Sequence, residues 1–597
     1  MTTTLHRHLG AILVAMLALT ALVRGQDRAG EQTLLRDQRP IASIQWRAFP
    51  PPDRKGGFGF VEFRVVGRST GTERVSVKID AQGSLTDPLR FDVEVEPGQS
   101  RVVTQRIPAA GSYLFFEFQA AGSDQAQNAT CSTPGHHELA ILFISGGREG
   151  AAEWKRVYER IVGASGSRSR GAKVDLMVIA AKDLPDDWRA ISAMDLVVFD
   201  GEDGAESRAQ RIVHDYALAG GNVVLLDADG FATGPLDPRG RGERFGFGRV
   251  VALTKAEVRS ALVGDSRAVS SRLAKQMERS EIGPAARIEA GIAAPIPAFF
   301  DAALAIPGTE PPPMQLVLVL IGAFALLVGP INSFLFRNQR GWLLITVPAA
   351  GILATGGILA WGLLGQGLGT REVEQSFSIH DQERGLVTTL AQRSLFVGSA
   401  VPDLAPRPRT WLWNLDLSRS RDTVARWIEE ADGRIDGSFI PSRTITNLAV
   451  ASLGELQGGL RIRRTADDFR VDDSSDLEPI GDRLLVRLPD GRYLAAASDK
   501  LAPIDEGSAE RLLVAWEDEL IQFGPRRPNR FEQVPTPQPR LLFGIQRQDL
   551  DGDSLPRGSY FAVVKSSPGR DDLGLAADES SASHAVLGFL GQKDIRD

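Results

Sequence analysis

Two apolar runs separated by five residues constrain this chain more than any other feature of its sequence. Met314 to Phe336 (MQLVLVLIGAFALLVGPINSFLF) and Trp342 to Leu364 contain no Asp, Glu, Lys, Arg or His. A helix of about 23 residues, rising ~1.5 Å per residue, is long enough for the ~30 Å hydrocarbon layer of a bilayer. A transmembrane hairpin over 314–364 is therefore the expectation. Its connection, Arg337-Asn338-Gln339-Arg340-Gly341, carries two arginines, and short basic loops stay on the cytoplasmic side. The hairpin then opens outward, and the chain after Thr370 shares its side with the amino-terminal region. Without intramembrane charge, a channel or pump is disfavoured. Gly329-Pro330 and Gly356-Gly357 would allow close helix approach, within the hairpin or to a partner helix.

The amino terminus agrees with that topology. His6, Arg7 and His8 precede the apolar stretch Leu9 to Val23, followed by Val23-Arg24-Gly25. This is the pattern of a secretory signal peptide over 1–25, or, because Arg24 crowds the cleavage point, of an uncleaved signal anchor. The expected location is the cytoplasmic (inner) membrane of a bacterium, with two transmembrane helices and the soluble domains extracytoplasmic, in a periplasm. The membrane itself and other envelope membrane proteins are the expected partners.

A chain of 597 residues exceeds what one core can organise, since cores stop growing near ~250–300 residues. Several domains are required. Net charge is only -7, from 68 Lys+Arg against 75 Asp+Glu, which gives no field for gripping nucleic acid. Cys131, the single cysteine, excludes an internal disulfide and any cysteine-based zinc site.

From Ile41 to Phe118 apolar and polar residues alternate: Val61, Phe63 and Val65 against Glu62 and Arg64, then Val75, Val77 and Ile79 against Ser76 and Lys78. Strands with one wet face and frequent turns read as an immunoglobulin-like β-sandwich over 38–125. From Glu138 the period changes. Short apolar strands at Leu139–Ile144, Val174–Ala180, Leu196–Phe199 and Val223–Leu226 alternate with helical stripes such as Ala209, Ile212, Val213 and Tyr216. This predicts a doubly wound, flavodoxin-like α/β domain over 136–255. A charged helical segment and linker (256–313) leads to the hairpin. After residue 370 strands dominate again, with helices at Asp422–Glu430 and Ser508–Gln522, so one or two β-rich domains fill 370–597.

The run DLVVFDG, the segment RIVHDYALAGGNVVLLDADG and FGFGRVVAL, followed by GPINSFLFRNQRGWLLITVP, resemble uncharacterised bacterial two-helix membrane proteins that carry a class I glutamine amidotransferase-like domain. The resemblance spans about Ile41 to Leu364 and implies an architecture more than an activity. Active members of that fold need a cysteine on a strained turn with a histidine and a carboxylate. Here Cys131 lies upstream of the first α/β strand, and His214 falls off the apolar stripe of its helix, which would face it to solvent. No catalytic residue is assigned.

Ligands of open α/β sheets sit beyond the carboxyl ends of the strands. That rule selects Ser145, Gly146 and Gly147, Asp200 and Glu202, and Asp227 and Asp229 as candidate ligand-binding residues. The same residue types also make turns and cap helices. Asp549-x-Asp551-Gly552-Asp553 has calcium-like spacing but lacks the glycine and glutamate of a full loop, and His136-His137 point to opposite sides of a strand. No phosphate loop, Gly-x-Ser-x-Gly elbow or His-Glu-x-x-His helix occurs, so no metal or cofactor is assigned. Asn128-Ala-Thr130 matches a glycosylation sequon.

The preferred expectation is a membrane-anchored, non-catalytic interaction, scaffold or sensing protein. Two others stay open: an enzyme or ligand-binding protein using the strand ends, and an accessory subunit of an ABC-type or export complex.

Overall fold

A computed structural model describes residues 29–596 with breaks, the longest of which are 155–172, 258–305, 415–433 and 523–554. The amino-terminal signal, Gly146, Gly147, Glu202, Asp229, the 337–340 connection, the helix expected at 422–430 and the 549–553 motif lie outside the described residues.

Eight strands come first among the described residues: β1 (Ala29–Arg36), β2 (Arg39–Phe49), β3 (Phe58–Gly67), β4 (Glu73–Ala81), β5 (Leu89–Val95), β6 (Ser100–Pro108), β7 (Tyr113–Ala120) and β8 (Ala126–Ser132). They form two four-stranded antiparallel sheets, ordered β1-β2-β3-β6 and β5-β4-β7-β8. Strand alternation sends Val61, Phe63 and Val65 into a shared core with Val75, Val77 and Phe116. Cys131 is buried in this core as a small apolar side chain. The other face of β2 and β3 carries Phe49, Phe58 and Phe60, which pack into the next unit instead.

That unit is built on β9 (Glu138–Ile144), β10 (Lys173–Ile179), β11 (Leu196–Asp200), β12 (Asn222–Leu226), β13 (Arg244–Phe245) and β14 (Gly248–Leu253). The sheet order is β10-β9-β11-β12-β14-β13, parallel except for the short β13–β14 hairpin. One described α-helix, α1 (Ser207–Leu218), lies against it. Gly248 permits the close approach, because a Cβ there would stand 2.2 Å from the Ala217 and Gly221 carbonyl oxygens.

The expected fold class needs correction here. Strands dominate the described chain, and α1 is the one α-helix of the parallel-sheet unit described along its length, beside two 3₁₀ turns, so a doubly wound flavodoxin- or amidotransferase-like domain is not supported. The transmembrane hairpin is not supported either. Helix α2 (Met314–Leu326) has 13 residues and then widens into a π-helical turn, Leu327–Ile331. Pro330 inside that turn has no N–H to donate to the carbonyl of Leu326, four residues back, where the regular helix ends. Thirteen residues at ~1.5 Å each span about 20 Å. Among the described residues no helix is long and apolar enough to cross a membrane. The inner-membrane location with two transmembrane helices falls with the hairpin.

The last unit contains β15 (Thr370–Asp381), β16 (Leu386–Val397), β17 (Thr410–Asn414), β18 (Ile445–Glu455), β19 (Arg461–Arg464), β20 (Phe469–Asp473), β21 (Pro479–Arg487), β22 (Tyr493–Ala497), β23 (Lys500–Ile504), helix α3 (Glu506–Gln522), β24 (Ser559–Val564), β25 (Glu579–Phe589) and β26 (Ile595–Arg596). They join in one twelve-stranded sheet, β17-β18-β16-β15-β25-β24-β21-β22-β23-β20-β19-β26. Its two faces feed different cores. Phe377, Phe561, Val563 and Leu587 join the core of the parallel-sheet unit, while Tyr560, Ala562, Val564 and Val586 pack with Leu484 and Val486. Arg409 ties the units together through an ion pair with Asp215 of α1. Contrary to the expectation from its helix position, His214 is buried, with its Nδ1 3.5 Å from Asp215 Oδ1.

Candidate functional site

The strand-end residues come first. Parallel register places Phe199 beside Ile144 and Asp200 beside Leu226, so Ser145, Asp200 and Asp227 leave neighbouring strands at the same sheet edge. Ser145 is buried, and its N–H donates to the Ile179 carbonyl at 3.0 Å. Asp200 is 4% exposed, a position where a carboxylate needs a partner. The partner is Lys255, two residues beyond β14. Its Nζ lies 3.1 Å from Asp200 Oδ1 and 3.7 Å from Asp227 Oδ2, and its backbone N–H donates to Asp227 Oδ1 at 3.0 Å. Asp227 takes a left-handed backbone, φ 56°, and its N–H bonds the Leu253 carbonyl at 2.9 Å.

Two expected carboxylates thus converge, around an internal cation that the strand-end rule did not select. A signal for it exists in the sequence. Thr254-Lys-Ala-Glu257 is a capping box, and the structure forms it reciprocally: Thr254 N–H to Glu257 Oε2 at 2.7 Å, and Glu257 N–H to Thr254 Oγ1 at 3.1 Å. The box fixes the backbone around Lys255 just past the strand end. Among the described residues no three His, Cys, Asp or Glu side chains converge as a metal site.

A second polar assembly lies inside the twelve-stranded sheet. Glu372 and Glu374 on β15 face Arg393 on β16 and Arg570 from the β24–β25 connection. Arg393 Nε stands 3.4 Å from Glu372 Oε1 and 3.0 Å from Glu374 Oε2, while Arg570 reaches Glu372 Oε2 at 2.7 Å and Glu374 Oε2 at 2.9 Å. The contacts to Glu374 are off the hydrogen-bond axis, so they act as ion pairs. Burial pushes the Glu374 carboxyl up to about 7, against the lowering pull of Arg393 and Arg570. Beside it, His584 on β25 pairs in register with Ser376, whose Oγ hydrogen-bonds His584 Nδ1. Burial, then the two arginines, hold this imidazole down at about 4.

Serine, histidine and glutamate in contact suggest a nucleophile relay, but the geometry does not make one. Ser376 Oγ and Glu374 Oε1, the latter at 3.8 Å, approach the same nitrogen, whereas a relay uses the two ring nitrogens separately. All three residues are at most 2% exposed, which leaves no place for a substrate. The assembly is a buried electrostatic tie.

The third feature is a cleft of about 620 Å³ in the seam between the sandwich and the parallel-sheet unit. The seam is fixed by the Phe58 N–H to Ser192 Oγ bond at 3.1 Å and by Asp187. Asp187 Oδ2 accepts from Arg106 Nη1 at 2.8 Å and from Arg189 Nε at 2.7 Å. Burial first, then the neighbouring Arg189, lowers Arg106 to about 10. One cleft wall is the outer face of β3 and β6, including Glu62 and Arg64, and the other is the turn Ala181–Asp183 with the residues after it.

No family profile matches the chain, and no curated protein does. Solved structures give only partial likenesses. A β-glucosidase from Erythrobacter marinus shares 12% identity, over 18% of this chain and 15% of that one, with a TM-score of 0.12. A Bacteroides uniformis β-glucuronidase shares 9% over 42% and 34%, at 0.15. An Amycolatopsis orientalis exo-chitosanase shares 11% over 43% and 26%, at 0.13. Such scores carry no argument about function.

Proposed function

We infer that the chain is a non-catalytic interaction or scaffold protein built from β-rich units. The observation that supports this is the Lys255 ammonium between Asp200 and Asp227. Strand-end carboxylates left open could bind a cation or serve as acid and base. Here the chain supplies its own cation, which pairs closely with the buried Asp200 and offsets one of the two negative charges, as a structural contact does.

The test is calorimetric titration of the full chain with Mg²⁺, Ca²⁺ and Mn²⁺, alongside the Lys255→Met variant. The wild type should give no binding heat, and the variant should gain divalent-cation binding at the uncovered carboxylates. Cross-linking mass spectrometry should find partner-protein contacts that persist in Asp200→Asn. Turnover or ligand binding by the wild type that Asp200→Asn abolishes, with the fold intact, overturns this reading in favour of an enzyme or ligand-binding protein acting at the strand ends.

A further inference from the structure

The charged residues of the seam cleft divide into two sets. Arg106 pairs with Asp187, and Arg208 pairs with Asp186. Glu62, Arg64, Lys182 and Asp183 also line the cleft, yet their side chains form no ion pair or hydrogen bond among the described residues. Each wall contributes one anion and one cation: Glu62 and Arg64 from β3, Lys182 and Asp183 from the 3₁₀ turn.

Cross-wall pairs, Glu62 with Lys182 and Arg64 with Asp183, would cancel all four charges and close the gap. They do not form. Instead Glu62 feels Asp183 more strongly than it feels Arg64 or Arg47, and burial together with Asp183 raises its carboxyl above the usual range. A positive group between these two carboxylates would relieve both the repulsion and the desolvation. The two cations leave a matching need for a negative group. A volume of about 620 Å³ is in the ~300–1,000 Å³ range of small-ligand sites, and the seam contacts hold the cleft open in advance of binding.

We propose that this cleft binds a zwitterion, a free amino acid or short peptide, with its ammonium between Glu62 and Asp183 and its carboxylate at Arg64 and Lys182. The assignment goes beyond the scaffold reading and is independent of the Lys255 contact.

Calorimetry on the full chain at pH 7 tests it, with glycine, diglycine and triglycine as probes and with the N-acetylated and C-amidated forms of triglycine. Free amino acid and peptide sources are separated by the length series. At least one zwitterion should bind saturably, with binding weakened tenfold or more by blocking either end. Glu62→Gln and Lys182→Gln, both at solvent-accessible positions and conservative in size, should each weaken it by a similar factor. Absence of binding by every probe up to about 10 mM overturns the proposal. So does binding indifferent to Glu62→Gln, and so does sensitivity to acetylation alone, which would mean a cation site without the carboxylate half.

Discussion

Arg393 and Glu374 sit directly opposite one another across the β15–β16 ladder, Nε to Oε2 at 3.0 Å, and both side chains are at most 2% exposed. A guanidinium so placed cannot lose its partners without becoming an uncompensated buried charge, and the reverse holds for the carboxylates. Breaking such a pair from one side costs about 3–5 kcal/mol. Arg393→Met is therefore expected to lower stability by that order, read as a lower thermal midpoint of the C-terminal unit. Arg570→Met should cost less, because Arg570 is 28% exposed and water can replace part of what it provides.

Glu374 and His584 should give opposite pH dependences. The Glu374 carboxyl is raised from 4.5 to about 7, so the folded chain keeps a proton that the unfolded chain releases, and stability falls as pH rises through that window. His584 is lowered from 6.5 to about 4, so its contribution is lost as pH falls through 6.5 toward 4. Between about 4.5 and 6.5 the two nearly cancel. Glu374→Gln removes one side of the balance, and the variant should be destabilised by acid more steeply than the wild type. Thermal midpoints measured from pH 4.5 to 7 check this; parallel curves would refute it.

How far the sequence revealed these features depended on the range of the contacts. Val61, Phe63 and Val65 could be placed inside because alternation is local, and the Val223–Leu226 run could be recognised as covered on both faces. Asp200 and Asp227 could be found because strand ends are local too. Lys255 required knowing that β14 lies beside β12. The Glu374 assembly was hidden, because TREVEQSFSIHD alternates polar and apolar residues like a strand with one wet face. Its polar side is buried and meets partners that lie far away in the chain, Arg570, and His584 on the neighbouring β25. Helix α2 misled in the opposite direction: its composition is that of a longer helix, whereas the described α-helix gives way after Leu326 to a π-helical turn that contains Pro330.

Gly588 on β25 offers a packing test. A Cβ there would lie 2.0 Å from the ring of Tyr560, its buried partner directly across the β24–β25 ladder. Gly588→Ala should cost about 1–3 kcal/mol or more through overpacking, measurable as a reduced urea midpoint. Restoration by Tyr560→Leu in the double variant would confirm the contact.

Asp187 should behave as the hinge pin of the seam. Asp187→Ala leaves the Arg106 and Arg189 guanidiniums facing each other without a counter-charge. Faster limited proteolysis in the 181–192 segment is expected, with the sandwich core itself unaffected. Equal cleavage rates in variant and wild type would show that the apolar contacts of Phe49, Phe58 and Phe60 hold the seam alone.

The parallel pairing of β15 with β25 also sets a timetable. Arg371 aligns with Glu579 and Asp381 with Phe589, so the middle of the sheet joins segments made far apart during synthesis. Until β25 leaves the ribosome, one edge of β15 has no neighbour, and until Arg570 does, Glu372 and Glu374 lack it. An unfinished edge of this kind invites pairing with other chains. Carboxyl-terminal truncations that remove β25 should therefore yield aggregates and not a shorter soluble domain, and nascent chains of this length would be natural clients for holding chaperones.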